Sequence, residues 1–420
     1  MGSRTGSEPV CVTGIGAILP GASGVGEFWR NLRDGRSRLD FLTRCDPGDT
    51  PARVAGEVRG FDHTEHLPDL PPTHAAKYSR DILAVMAAVR QARQDAGLDA
   101  EAVDPRRVGL VGSCSRGPIG WVEEAANSAS GFPDKGAMLC SIPGTATTLA
   151  AIDSDIQGNV TTLSNACVGG NQAIGVALDT LRADRADAVL VVGYEFPLTS
   201  VVLRSFASMG KGVLAAEREN PALAMKPYNR HRDGLVLGEG AVVLCLERAS
   251  FARRRNARVY AEVLAHAGLC EAANPFSMDL TGARTASVIR DSLEEAGAKP
   301  GDVQYYCGHG TGTKYNDLAE SKALGMLYDD RRREHWPPLS SNKPIYGHLL
   351  GAAGVVNAAA TALMLHHGTL APTINYTDPD PDCDHDHVGE GSRPVALDLA
   401  VSMTFAIGSQ TSAVVLGAAA

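Results

Sequence analysis

SNACVGGNQAIGVALDTL, running from Ser164 to Leu181, sets one sulfur, Cys167, among residues with almost no side chain. The residues before it, 160–163, read as a short strand. Those after it carry Ile174, Leu178 and Leu181, the i, i+4, i+7 stripe of an amphipathic helix. Gly169, Gly170, Ala173 and Ala177 give that helix small positions through which its backbone can lie close to a neighbour. The stretch therefore predicts a strand, a sharp turn carrying Cys167, and a helix. A cysteine at a helix start meets unpaired N–H groups and the positive end of the helix dipole; both favour thiolate and predict a lowered pKa. A small buried thiol fits the same segment, since free cysteine is among the most buried residue types.

The alternation continues in both directions. VCVTGIG (10–16) reads as a buried strand, and ILAVMAAVRQARQDAG (82–97) as a helix closed by Gly97. RVGLVGS (107–113), ADAVLVVGYE (186–195) and GAVVLCLE (240–247) are strand-like. A second series starts with RVYAEVLAHA (258–267). It continues through the helix SVIRDSLEEAGA (287–298), the strand VQYYC (303–307) and a small-residue helix after Gly347. It ends in LAVSMTFAIGSQTSAVVLG (399–417), two strands joined by a tight turn at residues 406–410. The class is α/β in two halves, 1–255 and 256–420, with the seam in the charged, exposed run 250–258. Residues 35–80, 114–150 and 372–394 read as loops.

Composition narrows the function. Aromatics make up 5% of the 420 residues and glycines number 45, so the core rests on aliphatic side chains and close backbone contacts. A net charge of −9 argues against nucleic acid as partner. The nine cysteines are odd in number and form no CxxC pair, which fits reduced thiols in the cytoplasm. The N-terminus shows no apolar signal region, and no apolar run approaches a membrane span.

Two further segments carry chemistry. In YCGHGTGTKYND (306–317), His309 follows a strand among Gly308, Gly310 and Gly312; a loop histidine in a Gly-rich turn is the plain alternative. In SSNKPIYGHLLGAAGVVNAAATALMLHHG (340–368), His348 reads as the first turn of a helix, where imidazolium is disfavoured, and Lys343 lies five residues earlier. CDHDH (383–387) alternates Cys383, His385 and His387, but a second ligand pair is missing, so a structural role is favoured and no metal is expected. GIGAILPG (14–21) lacks the third glycine of a dinucleotide fingerprint at its place. One cysteine and two histidines, each at a strand end or helix start, suit acyl transfer through a thioester and then chemistry at a carbanion.

NACVGGNQAIGVAL, KPYNRHRDGLVLGEGAVVLCLE (226–247), GHGTGTKYND and SNKPIYGHLLGAAG stand in the order found in β-ketoacyl synthases, the condensing enzymes of fatty-acid and polyketide assembly. VCVTGIGAILPGASGVGEFWRNLRDGRS and VSMTFAIGSQTSAVVLG resemble the two ends of that family, so the resemblance covers nearly the whole chain. It implies a thiolase-type fold, two pseudo-twofold-related βαβα halves in five layers, α-β-α-β-α. Cys167 matches the acyl-accepting nucleophile, His309 and His348 the two histidines, and Lys343 the lysine that orders the site. The backbone N–H groups of Cys167 and Ile407 match the oxyanion hole, and Thr311, Thr313, Phe405 and Arg116 fall where substrate is contacted. No cofactor is implied, since phosphopantetheine arrives on an acyl carrier protein. The resemblance also implies a dimer, of like chains or with a ketosynthase-like partner. The chain stops after the hairpin, so the carrier is expected to be a separate protein. Lys77, Arg80 and Arg218 are candidates for meeting its acidic surface.

The chain departs from the family at several points. Ile407 replaces a gating phenylalanine, and Val168 and Gly169 stand beside the nucleophile where Ala or Thr and Ser are common. Asn357 occupies the place of a glutamate near the lysine, and Arg116 enters a loop that lines the acyl pocket. These departures favour polyketide or other secondary metabolism over housekeeping elongation. Two alternatives remain open at this point. One is a Cys-dependent acyltransferase without decarboxylation, and the other is a partner subunit that sets chain length for a second synthase.

Overall fold

The computed structural model describes residues 8–98, 103–128, 137–272, 275, 278–328 and 332–419. Most of the N-terminal stretch read above for a signal, and residues 129–136 of the 114–150 segment, lie outside this range. The first half supplies β1 (Val10–Leu19), β2 (Val108–Ser113), β3 (Val160–Leu163), β4 (Ala188–Glu195) and β5 (Gly240–Arg248). The second supplies β6 (Ala261–Cys270), β7 (Tyr305–Cys307), β8 (Leu339–Ser340), β9 (Leu399–Ala406) and β10 (Gln410–Gly417). Their spatial orders, β3-β2-β4-β5-β1 and β8-β7-β9-β10-β6, correspond strand for strand. In each, the three strands furthest from the seam run parallel and the last two pair antiparallel. The two sheets meet where Val10–Val12 pairs with Ala261–Val263.

Helices complete five layers. The helices α1 (Arg80–Ala96) and α2 (Thr145–Asp153) cover the outer face of the first sheet, and α4 (Ala283–Glu295) and α5 (Lys314–Leu327) that of the second. Between the sheets lie α3 (Gly169–Arg182) and α6 (Ala353–His367). A helix touched from all sides needs no polar face, and α6 is buried from Ala353 to Leu365. The two central helices cross at glycine: a Cβ on Gly170 would lie 2.8 Å from the Val355 nitrogen and 3.0 Å from the Gly354 Cα. Those are backbone atoms and cannot swing aside. Gly170→Ala is therefore expected to destabilise the fold by about 1–3 kcal/mol in denaturant unfolding. An unchanged midpoint would show that the helices can part.

The strands and helices read from periodicity stand within a few residues of their predicted limits, Gly97 included, which caps α1 in the left-handed region (φ 60°). Three readings are corrected. The 114–150 segment holds a helix, Ile119–Asn127, with Ala125 alone buried, so it had no apolar stripe to betray it, and α2 begins inside the same segment. Residues 35–80 contain the paired strands Asp40–Phe41 and Val54–Ala55 and two short helices. The run at 250–258 is exposed only in part: Arg253, Arg254, Asn256 and Arg258 face outward, while the helix Ala249–Arg254 buries Phe251 and Ala252, and Arg255 pairs with Glu247.

Candidate active site

Strand β3 delivers the chain to a constrained corner. Ala166, immediately before the sulfur, has φ 44°, a region that L residues enter only when their surroundings impose it. A short 3-10 turn, Ala166–Val168, carries Cys167 and leads straight into α3. The corner is clasped to the β9–β10 turn. The Asn165 amide donates to Gln410 Oε1 at 2.7 Å, and Gln410 Nε2 returns a bond to Asn165 Oδ1 at 2.6 Å. Phe405 is buried behind that turn with its ring edge toward His309, 5.6 Å between centroids. Ile407 is at the tip, 46% exposed, and its N–H has no partner among the described residues.

The second corner is His348. The chain there is fixed by backbone bonds on both sides: the His348 N–H donates to Val236 O at 2.7 Å, and its carbonyl accepts from Gly238 at 3.0 Å. Ring atom Nδ1 accepts from the Leu350 N–H at 3.3 Å, which leaves the proton on Nε2, aimed at Cys167 Sγ 3.2 Å away. His348 does not stand in the first turn of the helix, as the sequence reading had it. α6 begins at Ala353, with a 3-10 turn, Leu350–Ala352, between them.

The third corner, His309, is set by α5. Glu320 accepts from the backbone N–H of His309 at 2.6 Å and of Gly310 at 2.9 Å, and from the Tyr228 hydroxyl at 2.8 Å. Asp317 takes the Thr311 N–H at 3.1 Å and the Tyr228 N–H at 2.9 Å. Lys343 Nζ donates to the carbonyl of His309. The two imidazoles lie edge to face, 5.1 Å apart, and ligand atoms of Cys167, His309 and His348 fall within 4.8 Å of one another. His309 Nδ1 is buried without a hydrogen-bond partner. A thiol and two imidazoles this close could grip a soft divalent ion, or they could act together on one small electrophile.

Burial rules the electrostatics. It pushes the Cys167 thiol up to about 12, with Lys343 and Arg116 pulling the other way, so the sulfur rests protonated instead of as the thiolate that the helix start predicted. Burial, then Lys343, holds both histidines well below the usual imidazole range, with His348 adding to the effect on His309 and Arg116 to that on His348. Both rings are neutral at physiological pH. Alkylation of Cys167 by iodoacetamide, followed by peptide mass, should therefore rise about tenfold per pH unit from pH 7 to 10. A plateau below pH 8 would mean a thiolate already formed.

The remaining predicted residues are placed as follows. Lys343 is buried, and among the described residues no carboxylate makes an ion pair with it. Asn357, in the place of the expected glutamate, instead accepts from Asn342 and donates to the carbonyls of Gly308 and Met403. The Thr311 and Thr313 hydroxyls bond to each other at 2.9 Å on the His309 loop. Lys77 and Arg218 are exposed, whereas Arg80 is committed to Glu239 at 2.8 Å. In the CDHDH segment, His387 turns its two ring nitrogens to the carbonyls of Leu339 and Cys383 and stacks on Tyr228 at 3.9 Å, a bracing arrangement.

Sequence reasoning missed the carboxylates. Asp317 and Glu320 stand three apart at the start of α5, so one face of its first turns carries both, and that spacing could have drawn attention to them. Glu195 ends the apolar strand β4 and is fully buried. It accepts from the N–H groups of Ser115 (2.8 Å), Arg116 (3.2 Å) and Gly351 (3.0 Å) and from the Ser115 hydroxyl (2.6 Å), joining the Arg116 loop to the segment after His348.

The arrangement is found in known proteins. Residues 7–252 match the model of the β-ketoacyl synthase N-terminal domain and residues 260–377 that of its C-terminal domain. The ketoacyl synthase alpha subunit of the tetracenomycin polyketide synthase of Streptomyces glaucescens is 33% identical, over 99% of this chain and 98% of that one. 3-Oxoacyl-[acyl-carrier-protein] synthase 2 of Synechocystis is 32% identical over 95% of each. Among solved structures, the ishigamide ketosynthase/chain length factor superposes with a TM-score of 0.89 at 29% identity, over 99% of this chain and all of that one. A type II polyketide ketosynthase, solved with its acyl-carrier protein and bound to the hexaketide, gives 0.88 at 27%, over 99% and 100%. With the fold, the convergent cysteine and histidines, and both domain models in agreement, this chain belongs to the β-ketoacyl synthase family.

Proposed function

We propose that the chain is a condensing enzyme that works with a separate acyl carrier protein in polyketide or related secondary metabolism, with Cys167 as nucleophile. The convergence of Cys167, His309 and His348 within 4.8 Å carries this reading. In the first step the Cys167 sulfur attacks the carrier's acyl thioester; the S–H proton leaves with the carrier thiol, and the acyl group stays on Cys167. His348, with its proton on Nε2, donates to the sulfur as it gains charge. His309, neutral and with an unpartnered ring nitrogen, is kept for the second step.

A malonyl-type thioester then enters. Its C–C bond to the carboxylate breaks, carbon dioxide leaves, and the enolate oxygen collects hydrogen bonds from the two imidazoles, which cost nothing to reorganise because the loops already hold them. The enolate carbon attacks the acyl-Cys carbonyl. The resulting oxyanion meets the N–H groups of Cys167 and Ile407; its collapse breaks the bond to sulfur, and the departing Cys167 thiolate takes a proton from water to restore the thiol. Lys343 orders the His309 loop through its carbonyl. Thr311, Thr313, Phe405 and Arg116 contact substrate. The partner subunit is a second ketosynthase-type chain.

The test is release of carbon dioxide from a malonyl carrier, together with intact mass of the protein after exposure to acyl carrier. Acylation with carbon dioxide release supports the reading. Acylation without it makes the chain a plain acyltransferase, and no acylation makes it a partner for another synthase.

A further inference from the structure

The Arg116 side chain is held in place without an acidic partner of its own. Its Nη1 donates to the Ser115 hydroxyl at 3.1 Å, and its guanidinium lies over the Phe206 ring at 5.2 Å. Ser115 in turn gives its own proton to Glu195. The Glu195 carboxylate is filled by that hydroxyl and three backbone N–H groups, Arg116's own among them, so it meets the guanidinium only through Ser115. Among the described residues no carboxylate forms an ion pair with the guanidinium. Two contacts fix the plane of the group and leave most of its five N–H donors unused.

What this cation faces decides its role. Phe206 belongs to the same apolar cluster as Cys167, together with Leu198, Val202, Leu203 and Leu350. Ser115 is tied to the nucleophile corner, since the Ser164 hydroxyl donates to its carbonyl at 3.3 Å. The charge of Arg116 is also felt at Cys167 and His348. An acyl chain on Cys167 that runs over this apolar cluster passes a fixed, underemployed hydrogen-bond fork. A saturated hydrocarbon would leave that fork unpaired and partly desolvated, which is unfavourable. A chain bearing an oxygen would complete it.

Resting on the reading that Cys167 is acylated, we propose that Arg116 selects acyl chains that carry an oxygen acceptor, a keto or carboxylate oxygen, over saturated ones. Three pantetheine thioesters of one chain length test this: hexanoyl, 3-oxohexanoyl and adipoyl, competed for acylation of Cys167 and read by intact mass. Wild type should take at least one oxygenated chain about 10- to 100-fold faster than hexanoyl. The 3-oxo arm reports an oxygen near the thioester, the adipoyl arm one at the chain end. Arg116→Leu should erase the preference while still accepting hexanoyl, and Arg116→Lys, which keeps the charge but not the fork, should restore part of it. A wild-type preference for hexanoyl, or a preference that survives in Arg116→Leu, overturns the proposal. So does equal slowing of all three chains with loss of dimer in ultracentrifugation, which would make Arg116 an interface residue. If wild type accepts none of the three, the acylation reading itself fails and takes this one with it; acylation without selection removes this one alone.

Discussion

Cys167→Ala should abolish acylation outright. The protein should show no mass increment with any acyl carrier, and condensation should fall by something on the order of 10⁶-fold, the scale seen when a covalent enzyme loses its nucleophile. The fold should survive, because the side chain is small, sits on a turn fixed by the Asn165–Gln410 clasp, and accepts one hydrogen bond from His348. Circular dichroism and the unfolding midpoint serve as controls. A variant still labelled by acyl carrier would send the search to another thiol. Cys114, buried beside Glu195, would be the first to examine.

The histidine variants should separate two steps that share one cavity. His309→Ala removes a ring whose neighbours are the other imidazole and Phe405. Decarboxylation should drop by about 10²–10³-fold, the worth of one well-placed donor at a developing negative charge, while acylation of Cys167 slows far less. His348→Ala removes a donor of the same kind and also the N–H aimed at the sulfur, so acylation should slow more than in His309→Ala, with decarboxylation still the harder hit. Pre-steady-state labelling gives the first rate and carbon dioxide release the second. If either variant condensed at the wild-type rate, the role assigned to that ring would be wrong. Equal loss of both steps in His309→Ala would point to a collapsed loop instead of a missing donor. Both rings are neutral, so neither should contribute an acidic limb near pH 6 to the rate profile; such a limb would show that one of them works as imidazolium.

The parts legible in the sequence were those written in short-range pattern. Stripes of apolar residues gave the strands and helices, and Gly97 marked the end of α1 because a left-handed cap favours glycine. Cys167 and His309 were legible because each stands where an element starts or stops, and His348 because Gly347 and the small-residue helix downstream frame it, though that helix begins only at Ala353. What escaped depended on distant partners. The pull of a helix start on the Cys167 thiol could be read locally, but the burial that outweighs it could not, because the apolar cluster around the sulfur gathers residues as far apart in the chain as Leu39 and Leu350. The helix Ile119–Asn127 lies largely at the surface and had no stripe. Glu195 and Glu320 looked like the end of a strand and one turn of a helix. Their importance appears only when the N–H groups they collect, from residues up to 156 positions away, are brought beside them. The Asn357 departure likewise has a physical content invisible beforehand: three hydrogen bonds joining one strand, at Met403, and the loops at Gly308 and Asn342, where a charge had been expected.

The reciprocal amide pair between Asn165 and Gln410 bears on how such proteins can be recombined. One amide comes from the half that supplies the sulfur and the other from the half that supplies the turn with the Ile407 N–H, so each half carries one side of a lock. Chimeras that splice the front of one relative to the back of another should keep a working site where this pair travels together. They should lose alignment between sulfur and turn where only one member is inherited, however well each sheet folds.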